Sequence, residues 1–232
     1  MKKLLFTLVL IPIFTFAQER KIIPSDDFNS TNFSSDHQFF AIETKTTPFL
    51  YDQSKEGYLI INDSIISSQK KIRYNLETGE LFIGSKSGKS FLLSGESITS
   101  FVINKNDENS RRVFTKINSG DFENIEIKRN FYEMIFDNKG EDYLIKDVKK
   151  YIFGLKKNGG VQTNFPSEYK ERTSYYIKNK SGKYVKTKLR KKNILRILED
   201  KNSEIKAFAS SNKINFKKEH DVVIVLTYYH TL

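Results

Sequence analysis

Two short motifs in the chain have residues that could bind phosphate or act as a nucleophile. Residues 84–90, Gly-Ser-Lys-Ser-Gly-Lys-Ser, are one residue short of a P-loop and lead into a strand-like run at 91–93. A P-loop must open a helix so that its amides converge on phosphate, and we therefore interpret this segment as a hairpin. Ser67 and Lys70 have the Ser-x-x-Lys spacing of penicillin-recognising enzymes, but the partner motifs Ser-Asp-Asn and Lys-Thr-Gly are absent.

Metal and nucleophile chemistry has few other candidates. Histidine occurs only at positions 37, 220 and 230, without His-Glu-x-x-His spacing, and cysteine is absent. The composition thus excludes disulfides, a thiol nucleophile, iron–sulfur clusters and cysteine-bound zinc. The polar stretch 104–109 lacks the glycine and the terminal glutamate of a calcium loop. The sequence therefore indicates no metal and no cofactor, and it identifies no catalytic residue.

The distribution of charge is the strongest chemical signal in the chain. The formal net charge is +11, from 39 basic and 28 acidic residues. Residues 18–150 carry 19 basic and 21 acidic groups, whereas residues 151–232 carry 18 and 7, and no acid lies between Glu171 and Glu199. This asymmetry points to an anionic partner or surface, and the alternative is an ordinary solvated, lysine-rich face.

The candidate binding residues lie in the acid-free window, where tyrosines are interleaved with cations. Aromatic rings and cations together can bind phosphorylated sugars, acidic glycans or single-stranded nucleic acid. The alternative for the tyrosines is packing in a core or across neighbouring strands. The candidate ligand-binding residues are Tyr176, Lys178, Lys183, Tyr184, Lys186, Lys188, Arg190, Lys191 and Lys192.

The first 17 residues have the organisation of a secretory signal peptide. Lys2 and Lys3 precede an uncharged, mostly apolar stretch at 4–16, and small residues stand before a cleavage point after Ala17. The apolar stretch is shorter than the roughly 20 residues of a membrane span, and the alternative is an uncleaved anchor. We expect a periplasmic or extracellular protein without a transmembrane segment after cleavage, for which nucleic acid is an unexpected partner.

The mature chain reads as a polar arm followed by a β-rich domain. Residues 18–48 are polar and have no helical or alternating period, which predicts an extended arm. Short aromatic and β-branched runs recur from 49 to 157 and predict antiparallel strands in a sandwich or open barrel. One side of each strand is expected to face a core and the other water. The predicted strands are 58–61, 72–76, 81–83, 91–93, 98–103, 113–117, 125–127, 132–136, 143–145 and 151–155.

A loose turn pattern recurs four times, with Ser or Asn, Lys and Gly ahead of an aromatic residue. Glycine supplies the positive φ that a tight turn needs, and the aromatic residue starts the return strand. Each copy is therefore interpreted as a hairpin turn. The four glycines are Gly57, Gly88, Gly140 and Gly182.

A basic region is predicted at 169–232, after a linker at 158–168 that contains Gly-Gly and Pro. It starts with a hairpin and continues with helical periodicity, and Asn202 and Ser203 are candidate helix caps. The run 222–225 is also compatible with a strand. The fold class is therefore predicted as α+β, with an antiparallel β-rich N-terminal region and a small basic hairpin-plus-helices C-terminal region. The helical segments are predicted at 189–198, 202–209 and 222–229.

The chain resembles exported proteins of Bacteroidetes-type bacteria. The resemblance lies in the Met-Lys-Lys start, the Phe-Ala-Gln at 16–18 that spans the predicted cleavage point, and the Lys-, Asn- and Ile-rich body. The stretch from Lys191 to Tyr229 is similar to the tails of uncharacterised exported proteins from such bacteria. The resemblance implies a Gram-negative envelope, and it carries no known activity and no residue roles.

These patterns together predict a non-enzymatic periplasmic or envelope-associated binding module with a basic face. The expected partner is an anionic envelope polymer or an acidic protein surface. The alternative is an enzyme that acts on an envelope polymer through carboxylates that the sequence does not single out. A cleft with two converging acids would favour the enzyme, and a flat basic face would favour the binding module.

Overall fold

The protein has an α+β fold, and in its described residues an antiparallel sheet precedes three α-helices, as predicted. The predicted signal peptide at 1–17 and most of the predicted arm and linker lie outside the residues that the structure describes. The computed structural model describes residues 22–23, 33–34, 46–84, 90–93, 97–103, 111–125, 130–153 and 168–232.

Thirteen strands of the described residues belong to one sheet. Its neighbouring strands are antiparallel except for the parallel pair β1 and β4. Aromatic and β-branched residues dominate these strands because they suit a pleated, half-buried surface. The strands are β1 (Ile22–Ile23), β2 (Phe33–Ser34), β3 (Lys55–Ile61), β4 (Ile65–Ser67), β5 (Lys70–Tyr74), β6 (Leu81–Gly84), β7 (Ser90–Leu93), β8 (Ile98–Ile103), β9 (Arg112–Ile117), β10 (Asn130–Asn138), β11 (Glu141–Phe153), β12 (Glu168–Lys178) and β13 (Tyr184–Thr187).

The sheet curls around its own inner side. Its strand order is β13-β12-β11-β10-β9-β8-β3-β5-β6-β7-β2. The amide of Lys150 on β11 nevertheless donates to the carbonyl of Leu76, beyond β5, at 3.2 Å. The hydroxyl of Tyr74 on β5 lies 3.5 Å from the carbonyl oxygen of Phe131 on β10. Strands distant in the sheet order are thus brought together, which corresponds to the open-barrel form of the prediction.

Aromatic side chains fill the inner side of the curl, which we call the barrel core. The rings of Phe101 and Phe114 stack at 4.7 Å, and Tyr74 and Phe131 pack against Phe101 at 5.2 and 5.0 Å. Phe101 is fully buried and Phe114 is 2% exposed. Burial of each such ring contributes roughly 1.5–3 kcal/mol, so this cluster stabilises the curl.

Two predicted strands, at 143–145 and 151–155, are instead parts of the single long strand β11, which is described through residue 153. The lysine-rich stretch between them does not continue the aromatic and β-branched pattern by which the strands were predicted. The ammonium group of Lys150, however, donates to the carbonyl oxygens of Thr47 at 3.0 Å and Phe49 at 2.6 Å. A charged residue with such partners is compatible with a strand interior, so β11 continues through it.

Of the four glycines predicted to form hairpin turns, two lie in turns and one lies inside a strand. Gly140 and Gly182 lie in turns with φ of +94° and +76°, as predicted. Gly57 lies inside β3, so the turn prediction is wrong there. A Cβ at this position would overlap the carbonyl oxygen of Val102 on β8, and glycine therefore permits the close approach of these two strands. Gly88 lies outside the described residues.

The strands on either side of the predicted linker at 158–168 are direct neighbours. β11 and β12 pair at ten positions, from Leu144 opposite Ile177 to Phe153 opposite Glu168. β12 then pairs with β13 as a hairpin. The basic hairpin therefore extends the same sheet as the β-rich region.

Three helices cover one side of β10 to β13. They are α1 (Lys191–Ile197), α2 (Asn202–Ser211) and α3 (Glu219–Tyr229). Val222, Val225 and Leu226 are fully buried at helical spacing, so the helix is confirmed here and the alternative strand is not adopted. The prediction that Asn202 caps the start of α2 is wrong, because α2 begins without a side-chain cap and the side-chain amide of Asn202 donates instead to the carbonyl of Leu195, in the last turn of α1, at 3.0 Å. We call this cluster of helix and strand residues the helical core.

Candidate functional site

The serine of the Ser-x-x-Lys motif and the two ends of the P-loop-like motif lie on strands. Ser67 lies on a strand, is 4% exposed, accepts a hydrogen bond from the Leu59 amide and donates one to the Ser68 carbonyl. Its hydroxyl is therefore a structural link. Gly84 and Ser90 pair across β6 and β7, which supports the hairpin interpretation, and the turn between them lies outside the described residues.

Tyr176 and Tyr184, two of the nine predicted ligand-binding residues, lie in a core. They are 3% and 2% exposed. The ring of Phe122 packs against them at centroid distances of 5.2 and 5.4 Å, and Tyr132 joins the same cluster. We call this group the outer aromatic cluster, because it lies on the side of the sheet opposite the helices. The two tyrosines thus supply no ring to a ligand on the surface, which corresponds to the packing alternative.

Lys178 and Lys183 support this cluster at the tip of the β12–β13 hairpin. The ammonium group of Lys178 lies 5.3 Å from the ring centroid of Tyr184. The ammonium group of Lys183 donates to the carbonyl of Gly120, in the loop that carries Phe122. Lys183 therefore holds the loop against the hairpin, and Lys178 packs within the hairpin itself.

The other five predicted residues are exposed, and four of them form a basic run from the end of β13 into α1, interrupted only by the buried Leu189. Among the described residues, none of these four cations takes part in a salt bridge. The first turn of α1 contains no acid. Cations near the positive end of a helix dipole are electrostatically unfavourable. The basic run consists of Lys188, Arg190, Lys191 and Lys192.

Replacing Lys191 with Glu is expected to stabilise the fold by about 0.3–1 kcal/mol, because an acid in the first turn complements the helix dipole. Thermal unfolding would measure the gain. Lys206→Glu is the control, since it makes the same change of charge in the interior of α2. Equal shifts in both variants would show that net charge alone, and not the position of Lys191, accounts for the effect.

The fifth exposed residue, Lys186, belongs to a second group of cations that the sequence did not identify. β12 and β13 alternate, so Tyr175 and Val185 face the helical core while Tyr176 and Lys186 face the outer side. The same alternation and the strand register place further cations of β11 and β12 on this side. We call this group the outer basic face; it consists of Lys149, Lys170, Arg172 and Lys186.

A buried carboxylate, Asp147, lies within the outer basic face. It is 7% exposed, and its carboxylate is 3.4 Å from the ammonium group of Lys149. Burial raises the pKa of Asp147, and the charges of Lys149, Lys186 and Arg172 offset this only in part. Asp147 therefore holds cations of three neighbouring strands together, and it is itself shielded from a partner.

A second polar group lies on the inner side of the sheet, between the barrel core and the helical core. Arg112 binds the carboxylate of Glu133 through two hydrogen bonds of 2.7 and 2.6 Å. Lys146 contacts both Glu133 and Glu219 at 3.1 Å, and Tyr175 donates to Glu219 at 2.6 Å. We call these five residues the inner polar network. It connects β9, β10, β11, β12 and α3.

The two acids of this network converge on Lys146, as the enzyme alternative would require, but their environment is that of ion pairs. Burial by itself would raise the pKa of Glu133, yet the hydrogen bond and charge of Arg112 outweigh it and, with Lys146, hold the pKa below its ordinary value. An ionised carboxylate with two cations is a poor proton donor. The arrangement is suited to holding α3 on the sheet.

Neither the comparisons with known proteins nor the search for metal sites and membrane-spanning helices assigns a function. No known family model, curated protein or solved structure matches the chain. Within the described residues, no three His, Asp or Glu side chains are grouped closely enough to hold a metal ion. None of the described helices is sufficiently long and apolar to cross a membrane.

Proposed function

We propose that the protein is an exported, non-enzymatic module of the bacterial envelope that binds an anionic partner. The observation that carries the proposal is the combination of the outer basic face and the basic run: all their cations except the half-buried Lys170 are exposed, and the run begins two residues after Lys186. The signal-peptide pattern at 1–17 supports export to the envelope.

The mechanism is electrostatic attraction to a surface rather than enclosure in a cleft. Exposed cations on a sheet and at the start of a helix raise the local concentration of an anionic polymer. Their effect extends over about 8 Å at physiological ionic strength and shrinks as salt is added. Binding should therefore weaken steadily with ionic strength.

The basic run also has a stability cost that a binding role explains. Lys191 and Lys192 occupy the turn of α1 where an acid would be stabilising. An anionic partner would neutralise this unfavourable charge. A surface with no partner would gain stability from an acid at either of these two positions.

The enzyme alternative has one specific observation in its favour, the convergence of Glu133 and Glu219 on Lys146. An enzyme would lose turnover of envelope polymer in Glu219→Gln and keep its binding. We favour the binding module because both acids are ion-paired.

The test is co-sedimentation of residues 18–232 with native envelope fragments across a salt series. One variant carries Glu at Lys186, Lys188, Lys191 and Lys192, and it is expected to bind at least tenfold more weakly. The control reverses four exposed lysines of the α2–α3 region and has the same net charge. Those four residues are Lys206, Lys213, Lys217 and Lys218.

The matched control separates a docking surface from non-specific attraction. The proposal is supported if the control still binds, the first variant does not, and the binding of the unmodified protein weakens as salt is added. An equal loss in both variants would mean that net charge alone governs association. Binding by the first variant that equals that of the unmodified protein would overturn the proposed surface.

A further inference from the structure

Two exposed aromatic rings continue the outer basic face along β11. Tyr151 is 45% exposed and Phe153 is 52% exposed. They are two residues apart on one strand, so their side chains point to the same side and lie about 7 Å apart. Adjacent exposed rings forgo the stabilisation that burial would give, and such patches mark interaction sites.

The strand register surrounds these rings with cations. Lys170 lies directly opposite Tyr151, and Arg172 lies opposite Lys149. The ammonium group of Lys170 is 3.4 Å from the centroid of the Phe153 ring, which still remains half exposed. Flat apolar surfaces therefore alternate with positive charges along two paired strands.

The acids near this patch leave its positive charge largely intact. Asp147 is buried beneath Lys149, and Glu168 pairs with Lys170 at 3.3 Å between two well-exposed side chains. Exposed pairs of this kind contribute about 0–1 kcal/mol and exchange readily with other anions. The patch thus presents two rings beside two cations: Arg172, which forms no salt bridge among the described residues, and Lys149, which is half exposed and paired only with the buried Asp147.

The alternation of rings and cations selects a ligand with both flat faces and negative charges at short intervals. A phosphate group alone has no apolar face that could stack on the rings. A chain of sugar rings that bears carboxylates has apolar ring faces that stack on aromatic side chains and acids that pair with lysine and arginine. Single-stranded nucleic acid has the same two properties, but a chain predicted to be exported rarely meets it.

Resting on the binding function proposed above, we infer that the anionic partner is an acidic polysaccharide. Tyr151 and Phe153 stack on its sugar rings, and Lys149 and Arg172 bind its carboxylates. Lys186, on the same side of the sheet, extends the positive surface onto β13 for a chain that continues past the rings.

The test measures affinities of residues 18–232 for four polymers: polygalacturonate, neutral dextran, inorganic polyphosphate and single-stranded DNA. Tyr151→Ala combined with Phe153→Ala is expected to weaken binding of polygalacturonate by about 5- to 100-fold, the range typical for loss of a stacking ring. Binding of polyphosphate should be unchanged, and dextran should not bind. Ile125→Ala, at another exposed apolar residue, is the control and should bind as the unmodified protein does.

The outcomes distinguish this inference from the proposed function. If polyphosphate and polygalacturonate bind equally well and the ring variant changes neither, the saccharide assignment fails while the basic surface stands. Tighter, ring-dependent binding of single-stranded DNA would replace the polysaccharide by nucleic acid. If no anionic polymer binds but envelope fragments still do, the saccharide assignment fails alone, and if neither binds, both proposals fail. Unchanged thermal unfolding of the ring variant excludes a folding defect, because both rings are exposed.

Discussion

Glu133→Gln is expected to lower the free energy of unfolding by about 3–5 kcal/mol. The substitution removes the acid that Arg112 and Lys146 share, so that the partly buried Arg112 loses its salt bridge and Lys146 keeps only the one to Glu219. Urea denaturation at pH 7 would measure the loss. Glu171→Gln, at an exposed position of β12, is the control and should change stability by less than about 0.5 kcal/mol. A loss in the Glu133 variant no greater than in the control would show that the inner polar network is not stabilising.

The same carboxylate predicts how stability depends on pH. The pKa of Glu133 lies below its ordinary value, so its contribution is complete above the unfolded-state pKa of about 4.3. The contribution is lost as the pH falls through the folded-state pKa. The stability difference between the unmodified protein and Glu133→Gln should therefore shrink on acidification below about pH 4. A difference that stays constant would contradict the lowered pKa of Glu133.

The second large effect concerns the cooperativity of the fold. Phe101→Ala in the barrel core is expected to cost about 3–5 kcal/mol, and Leu226→Ala in the helical core about 2–5 kcal/mol. Both side chains are fully buried. We expect both variants to shift one common unfolding transition, followed by far-ultraviolet and tyrosine circular dichroism. Leu232→Ala, which is 45% exposed, should leave the transition in place.

The reason for a common transition is that two strands serve all the cores. β10 and β11 contribute Phe131 and Val148 to the barrel core, Leu144 to the helical core, and Tyr132 and Ile145 to the outer aromatic cluster. Unfolding of the barrel core or of the helical core therefore removes packing partners from the other. Two separate transitions, each sensitive to only one substitution, would show that the helical region unfolds independently.

Much of the fold could be predicted from the sequence, because side-chain period reports directly on local structure. Aromatic and β-branched alternation located strands, and the spacing of Val222, Val225 and Leu226 located α3. The expectation that one side of each strand meets water is wrong for β10. Tyr132 is 1% exposed and Glu133 is 6% exposed, because the loop carrying Phe122 covers one side and the region of α3 covers the other.

Less of the candidate site could be predicted from the sequence, because the site depends on cross-strand register. The exposure of the basic run follows from its composition alone. The proximity of Lys149 to Arg172, and of both to Lys186, requires the pairing of β11, β12 and β13. Tyr176 and Lys186 are direct neighbours in this register, yet one is buried and the other exposed, which composition does not reveal.

The ten-position pairing of β11 with β12 has a consequence for proteolysis. A protease that cuts the connection between Phe153 and Glu168 would leave two fragments joined by a full ladder of hydrogen bonds and by the inner polar network. The nicked protein should migrate as two chains under denaturing conditions and as one particle otherwise. Separate expression of either fragment would instead expose a long, unpaired strand edge, which is a template for aggregation.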